Sequence, residues 1–500
     1  MELRVHYSNI LSLGNVYSTC HLGVMRTYTL LLALCLAAAC ALAQTPPGEN
    51  PLIPDHRGLK LYVGQDSQAV FRPILVNQFW AKFTHNNPGT AQVNAAQPDE
   101  RSTTFGMRRV RVLLLAELGD RLQAFTQIGI NNQTFASGGG SGTGGLGGYG
   151  QAKKPQVFVH DAWTQYRMAY RAQDAEGFPS SLYVGAGLHY YHGISRLSQG
   201  GIPSQLLLDF PIFNFPDIEQ GNQFARQFGV YAKGDVRRFH YRLAVNQPFL
   251  SNAGVPELPD ERARDYPTRN LSLSGHVEYH FGEWEGHTLP FRPMTYIGGK
   301  RLLNVGIGFY RQPDATATYR ATPGSTPTVA ETFAKSVISA DVYAEQPIGE
   351  SGSALTGYLV YYRYDFGPNY YRSFGLLNTA PGNSSAQLAP EVVIDGFGNA
   401  EPLAGTGGIT HVQLGYLFPT NTMRRGVRVQ AFGALSHKDL DFLGVPVIKY
   451  DLGANLFLRG HSAKLSAQVG LRPQVYATPA GGYEQRGHRG ELVVQMQVAL

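Results

Sequence analysis

The chain has 500 residues, of which 43% are hydrophobic and only 16% charged, with mean hydropathy −0.19 and formal charge +6. Outside one stretch near the start, no run approaches the ~18 apolar residues of a membrane helix, which excludes a polytopic helical membrane protein. The 58 Gly and 30 Pro are scattered without period, which excludes collagen and long helical bundles, and the wealth of Tyr (28) and Phe (26) argues against disorder.

The first readable element is a leader. Met25-Arg26, the apolar run Leu30 to Ala39, and Ala41-Leu42-Ala43 form the basic, hydrophobic and small-residue parts of a secretory signal peptide. The pattern predicts a signal peptide over 1–43, cleaved between Ala43 and Gln44. Residues 1–24 read as a mis-assigned start, because a signal peptide needs no polar preface. Cys20, Cys35 and Cys40 all precede the cleavage point, so the exported chain carries no disulfide and no thiol chemistry. Residues 44–71 read as an N-terminal periplasmic segment.

From residue 72 onward the recurring signal is strict alternation with period 2, the mark of a strand with two unlike faces. Leu271, Leu273, Val277, Tyr279 and Phe281 alternate with Ser272, Ser274, His276, Glu278 and His280. Leu465, Val469 and Leu471 alternate with Lys464, Ser466, Gln468 and Arg472, and Leu492, Val494, Met496 and Val498 with Glu491, Gln495 and Gln497. The template predicts sixteen strands, at 72–85, 104–118, 121–131, 156–170, 181–191, 222–233, 236–247, 267–282, 300–311, 334–346, 353–365, 407–418, 425–438, 446–458, 461–472 and 489–500. Most reach the ~9–11 residues that cross an outer membrane at a tilt.

The links between them are asymmetric. Gly119-Asp120, Gly234-Asp235 and Arg459-Gly460 read as two-residue turns, and 347–352 and 419–424 are short. The alternate links 132–155, 192–221, 248–266, 312–333 and 366–406 are long, while 283–299 is long on the short side and 439–445 short on the long side. Short turns at one end and long loops at the other are the layout of a bacterial outer-membrane barrel. The predicted fold is therefore all-β, a closed antiparallel transmembrane β-barrel of about 16 strands over 72–500.

The sequence resembles the phosphate-selective porin O/P family of outer-membrane porins. The resemblance is carried by Phe105-Gly106-Met107-Arg108-Arg109-Val110-Arg111, by Gln127-Ile128-Gly129-Ile130-Asn131-Asn132, by Val159-His160-Asp161-Ala162-Trp163 and by Leu182-Tyr183-Val184-Gly185-Ala186-Gly187. It implies a homotrimer of 16-stranded channels in the outer membrane, each with a narrowed, basic lumen that favours anions. The chain ends in Leu500, not in the Phe common among outer-membrane barrels.

Read literally, the alternation turns Arg109, Arg111, Arg121, Arg167, Arg238, Arg242, Arg363, Arg428, Lys449, Lys464 and Arg472 inward. The acidic residues turned inward are Glu117, Asp161, Glu278, Asp341, Glu345, Asp365, Asp451 and Glu491. This is a slight basic excess, with Arg109, Arg111 and Arg121 expected to cluster across the Gly119 turn, and rings of Arg or Lys favour anions. The third long link contains Leu206, Asp209, Phe210, Phe213, Phe215 and Asp217 in a stretch too apolar to extend into water. It is expected to fold against the wall and narrow the pore, as third loops of porins do. Gly138 to Gly150 reads as an exposed, flexible Gly/Ser loop, and His189 to His192 as part of an aromatic girdle.

No G-x-S-x-G or H-E-x-x-H motif is present, so no catalytic residue and no enzyme activity is expected. His276, Glu278 and His280 share one strand face about 7 Å apart, so a metal would need a third ligand from elsewhere; no metal or cofactor is expected. Nucleic acid is not an expected partner, since the chain holds no dense Lys/Arg run. The expected partners are outer-membrane lipid and small anions. The predicted function is an outer-membrane porin, a passive diffusion channel for small anionic, phosphate-like solutes. The alternative is a non-conducting outer-membrane barrel that acts as receptor or structural partner through loops such as 366–406.

Overall fold

A computed structural model describes residues 49–50, 53–64, 69–90, 99–134, 157–190, 193–215, 225–250, 256, 261–286, 289, 291–322, 324–378, 393–423 and 426–500. The expectations for Ala43, Gln44, Asp217 and Gly138 to Gly150 lie outside these residues. Sixteen long strands run antiparallel, each paired with its neighbour in sequence: β1 (Ala69–His85), β2 (Arg101–Leu118), β3 (Leu122–Thr134), β4 (Phe158–Arg171), β5 (Ser180–His189), β6 (Gln227–Val236), β7 (Phe239–Gln247) and β8 (Ser272–His280), then β9 (Leu302–Thr322), β10 (Ser325–Ile348), β11 (Ser353–Asp365), β12 (Gly407–Leu417), β13 (Arg428–Leu440), β14 (Pro446–Arg459), β15 (Ala463–Ala477) and β16 (Tyr483–Ala499). β16 pairs back onto β1 from Glu491 opposite Thr84 to Ala499 opposite Val76. Leu75 and Leu500 exchange two backbone bonds of 3.1 and 2.9 Å at the seam. The sheet therefore has no edge, which is what a sheet facing lipid requires.

The two faces separate as the alternation demands. Leu273, Val277, Leu465, Val469, Leu492 and Met496 are exposed on the outside, whereas Ser272, His276, Glu278, Ser466, Gln495 and Gln497 are buried within. A closed barrel with an apolar exterior and polar interior is the form that spans the bacterial outer membrane. Both ends of the barrel sheet lie on the side of the short turns, the periplasmic side.

Three expectations about the strands are corrected. The turn placed at Gly234-Asp235 falls at Arg237-Arg238, with Val236 opposite Phe239. Asp235 stays in the ladder because its buried carboxylate is held by His240 at 3.1 Å, and Arg237 takes the left-handed turn conformation at φ 53°. The 312–333 link is no loop: β9 and β10 run on past the membrane until Thr322 faces Ser325. The alternating Thr and Tyr of that stretch suit a ladder but, clear of lipid, need no apolar face. Arg363 and Asp365 point outward, because Tyr358, Tyr362 and Tyr364 take the inner face.

The core lies inside the barrel. The described part of the third loop, 193–215, folds inward as expected, and Leu197, Leu206, Leu207 and Phe213 pack with Met294, Tyr310, Tyr343 and Tyr362 in one buried cluster. The described residues of link 281–301, unexpectedly long for the periplasmic side, also fold inward and supply Met294. In a third segment, 366–406, the described parts 366–378 and 393–406 pair Tyr371–Phe374 with Glu401–Gly405 and lean into the opposite mouth, where Leu377 meets Trp80, Leu208 and Val493.

Candidate functional site

The inward polar face is largely a docking surface for loop 3. Gln497 donates to the Pro203 carbonyl at 3.0 Å, Lys464 to Gln205 at 3.2 Å and Asn455 to Leu206 at 2.8 Å. Farther along, Gln468 accepts the Leu208 N–H at 3.1 Å, and the Tyr364 hydroxyl bonds the Phe213 carbonyl. Loop carbonyls buried this deeply need such donors. Lys464 thus anchors the loop, contrary to its expected place on an open pore wall, and Leu206 and Phe213 are wedges into the wall.

Two adjoining cavities beside loop 3 carry charged linings among the described residues. The smaller, about 70 Å³, is lined by Arg108, Arg109, Arg111 and Arg226 together with His160, Asn131, Tyr190, Phe210, Phe215 and Phe291. A bulge builds it: on β2, Arg109 faces Gln78 and Met107 faces Phe79, so Arg108 is the extra residue. Both Arg108 and Arg109 consequently turn inward. Asp209 of loop 3 binds both, at 2.6 Å to Arg108 and 2.7 Å to Arg109. Burial pushes the Asp209 carboxyl up, but the two guanidiniums outweigh it and hold it below the usual carboxylate range. Arg226 pairs with Asp161 at 3.0 Å, and Arg111 bonds Asn131. Four guanidiniums thus share two carboxylates, and Nε and Nη1 of Arg111 and Nη2 of Arg226 have no acceptor among the described residues.

The larger cavity, about 110 Å³, lies between loop 3 and segment 366–406. Its lining sets Lys438, Lys449 and Arg472 against Asp209, Glu401, Asp451 and Glu491; Lys449 pairs with Glu401 at 2.7 Å and Arg472 with Glu491 at 3.2 Å, and Lys82 beyond the lining reaches Glu491 at 3.1 Å. Phe210 and Leu376 line both cavities.

Several expected pore residues lie elsewhere. Arg121 is exposed in the 119–121 turn, so the cluster with Arg109 and Arg111 does not form; those two sit most of a strand length away. Arg238 lies at the β6–β7 turn, 2.9 Å from Glu176, and Arg428 bonds the Gly352 and Phe418 carbonyls near another turn. Arg167 is half-buried near the periplasmic rim, 4.8 Å from the Tyr170 ring centre. Arg242 is fully inside and donates to His240 at 2.9 Å. His189 and Tyr190, expected in a girdle, are interior: His189 contacts Asn246 at 2.9 Å, and Tyr190 lines the arginine cavity.

Alternation missed Arg108 and the loop residues Arg196, Arg226, Glu285 and Arg292. Arg108 carried a usable signal, since an Arg turned to lipid beside an inward Arg109 is costly enough to imply a bulge. Glu285 joins Glu278 and His280 in one group of donor atoms, all within 4.8 Å of one another. The two carboxylates there already face Arg196 and Arg292, which supply the compensating charge. Burial pushes the Glu285 carboxyl up, and the two guanidiniums more than reverse this, holding it far below the ordinary range.

Comparisons with protein-family models and with curated proteins find no match. Among solved structures the chain is similar to the outer membrane channel DcaP of Acinetobacter baumannii, at 9% identity and TM-score 0.45 over 87% of this chain and 99% of that one. It is likewise similar to an anion-selective porin from Comamonas acidovorans, at 12% identity and TM-score 0.43 over 86% and 100%. OprB of Pseudomonas putida is similar at 10% identity and TM-score 0.44 over 85% and 94%.

Proposed function

We propose that this barrel is an outer-membrane channel for small anions of the phosphate or carboxylate kind. It is exported by a leader cleaved between Ala43 and Gln44 and grouped as the homotrimer that the family resemblance implies. The observation that carries the reading is the arginine cavity: four guanidiniums share two carboxylates, with buried N–H groups that lack acceptors among the described residues. Charges surrounded by low-dielectric walls focus their field, so an excess of two cations suffices to set the sign of a passing ion. Guanidinium forks match the oxygens of phosphate and carboxylate and stay charged at any physiological pH.

Reversal potentials across a salt gradient in planar bilayers test this. Currents should prefer anions, most strongly at low salt, because the Debye length shrinks from ~10 Å at 0.1 M to ~3 Å at 1 M. Arg111→Gln should reduce the preference with the barrel intact, since Arg111 holds no carboxylate partner among the described residues. Cation preference in the unaltered protein would overturn the reading. A second reading, a non-conducting barrel that serves as receptor or structural partner, is favoured by the filling of the lumen: inward Gln495, Lys335 and His411 are fully buried. A protein that inserts and never conducts under any condition supports it.

A further inference from the structure

Link 281–301 is far longer than its place requires. β8 and β9 already pair from Leu273 opposite Arg311 to His280 opposite Asn304, so a short turn would complete the hairpin. Instead the link rises into the lumen from the periplasmic side and meets loop 3, which enters from the other. The two backbones bind each other directly: Arg292 N–H donates to the Gln199 carbonyl at 2.7 Å, Gly201 N–H to Arg292 at 2.7 Å and Met294 N–H to Ser204 at 3.0 Å.

Four charged side chains fasten the crossing. Arg196 of loop 3 forks onto Glu285 of the link at 2.6 and 2.8 Å and lies 3.6 Å from the Tyr343 ring centre. Arg292 of the link forks onto Glu278 of β8 at 2.6 and 3.0 Å and reaches Glu285 at 2.5 Å. Tyr296 donates to Glu285 at 2.7 Å. All four charged residues are at most 2% exposed, and their charges balance. When the link withdraws, Arg292 keeps Glu285 at 2.5 Å while Arg196 stays 3.5 Å from Glu278, so the crossing can part with the charge on each side still balanced. Phe291 of the link and Gly200 of loop 3 both line the arginine cavity, so parting them would widen it toward the periplasm.

We propose that link 281–301 is a movable plug, latched to loop 3 by Arg196 on Glu285 and to β8 by Arg292 on Glu278, and that solute crosses when the latch parts. This rests on the channel reading above. The test compares the full-length wild type with the charge-balanced variant Arg196→Gln/Glu285→Gln in planar bilayers. Each is also made with Ser204→Cys, a buried position on the crossing, and the introduced thiol is labelled with a small thiol reagent. The variant should raise both the open probability and the rate at which this thiol is labelled by about tenfold or more, the ratio that 1.4 kcal/mol of lost latch energy gives, with the reversal potential unchanged. Unchanged opening and labelling would overturn the plug. So would an introduced thiol that, with the latch residues intact, reacts as fast as an exposed one, a measurement that needs no latch variant to fold. Faster labelling without current in any variant would keep the plug and overturn the channel.

Discussion

Loop 3 enters the lumen through a gap one side chain wide. Gly308 on β9 lacks the Cβ that would strike the Ile194 carbonyl, and that carbonyl accepts from Ser339 of the neighbouring strand. Gly308→Ala must push the loop root off the wall, an overpacking of about 1–3 kcal/mol. The expected result is a barrel with unchanged β circular dichroism but a lower thermal midpoint; an unchanged midpoint would mean that the root has room to move. At this scale the sequence was readable only where one neighbour decides a side chain's direction. Arg109, Arg111 and Arg242 face inward as alternation says, whereas Arg108 turns inward through a bulge that two adjacent arginines only hint at. Arg196, Glu285 and Arg292 sit in stretches with no period, so nothing local announced that they would meet.

At the scale of elements, lipid makes the strands legible. A strand with hydrocarbon on one side and polar loops on the other must alternate, and all sixteen alternating segments are strands of the barrel. Legibility ends where lipid ends: β9 and β10 continue as a ladder beyond the apolar belt, and at the end of β11 the apolar tyrosines turn in and Arg363 and Asp365 turn out. Link 281–301 gave no sign of its inward course except its length. The lipid face has its own test. Leu452, in the middle of β14, is 64% exposed and points to the hydrocarbon. Leu452→Arg should cost ~2–4 kcal/mol if it lies near the membrane midplane, read as a lower denaturant midpoint for refolding into vesicles. A cost near zero would place β14 with its middle at the interface.

At the scale of the whole molecule, the barrel is a container whose contents are held by charge, and charge makes the holding depend on pH. Asp209 and Asp395 act in opposite directions. The depressed carboxyl of Asp209 stabilises loop 3 at every pH above the ordinary carboxylate value, and this contribution is lost only as pH falls through its lowered value. Asp395 anchors segment 366–406, where Ile394 N–H bonds the Val475 carbonyl at 2.9 Å and Tyr371 donates to the Asp395 carboxylate. Burial pushes the Asp395 carboxyl up to about 7; the Tyr371 bond and nearby Lys438 pull it down less strongly, and Glu401 adds to the rise. Between an ordinary value of ~3.9 and this raised one, the unfolded carboxyl is ionised while the folded one keeps its proton. Its contribution is therefore complete below pH ~4 and is lost as pH rises through about 7. Segment 366–406 should accordingly be held more loosely at pH 8 than at pH 5.5, seen as weaker hydrogen-exchange protection after correction for the intrinsic rate. Asp395→Asn keeps the shape and removes the titration, so it should abolish the difference and leave the rest of the barrel's exchange unaltered. A pH difference that survives in Asp395→Asn would assign the effect to another group of the mouth.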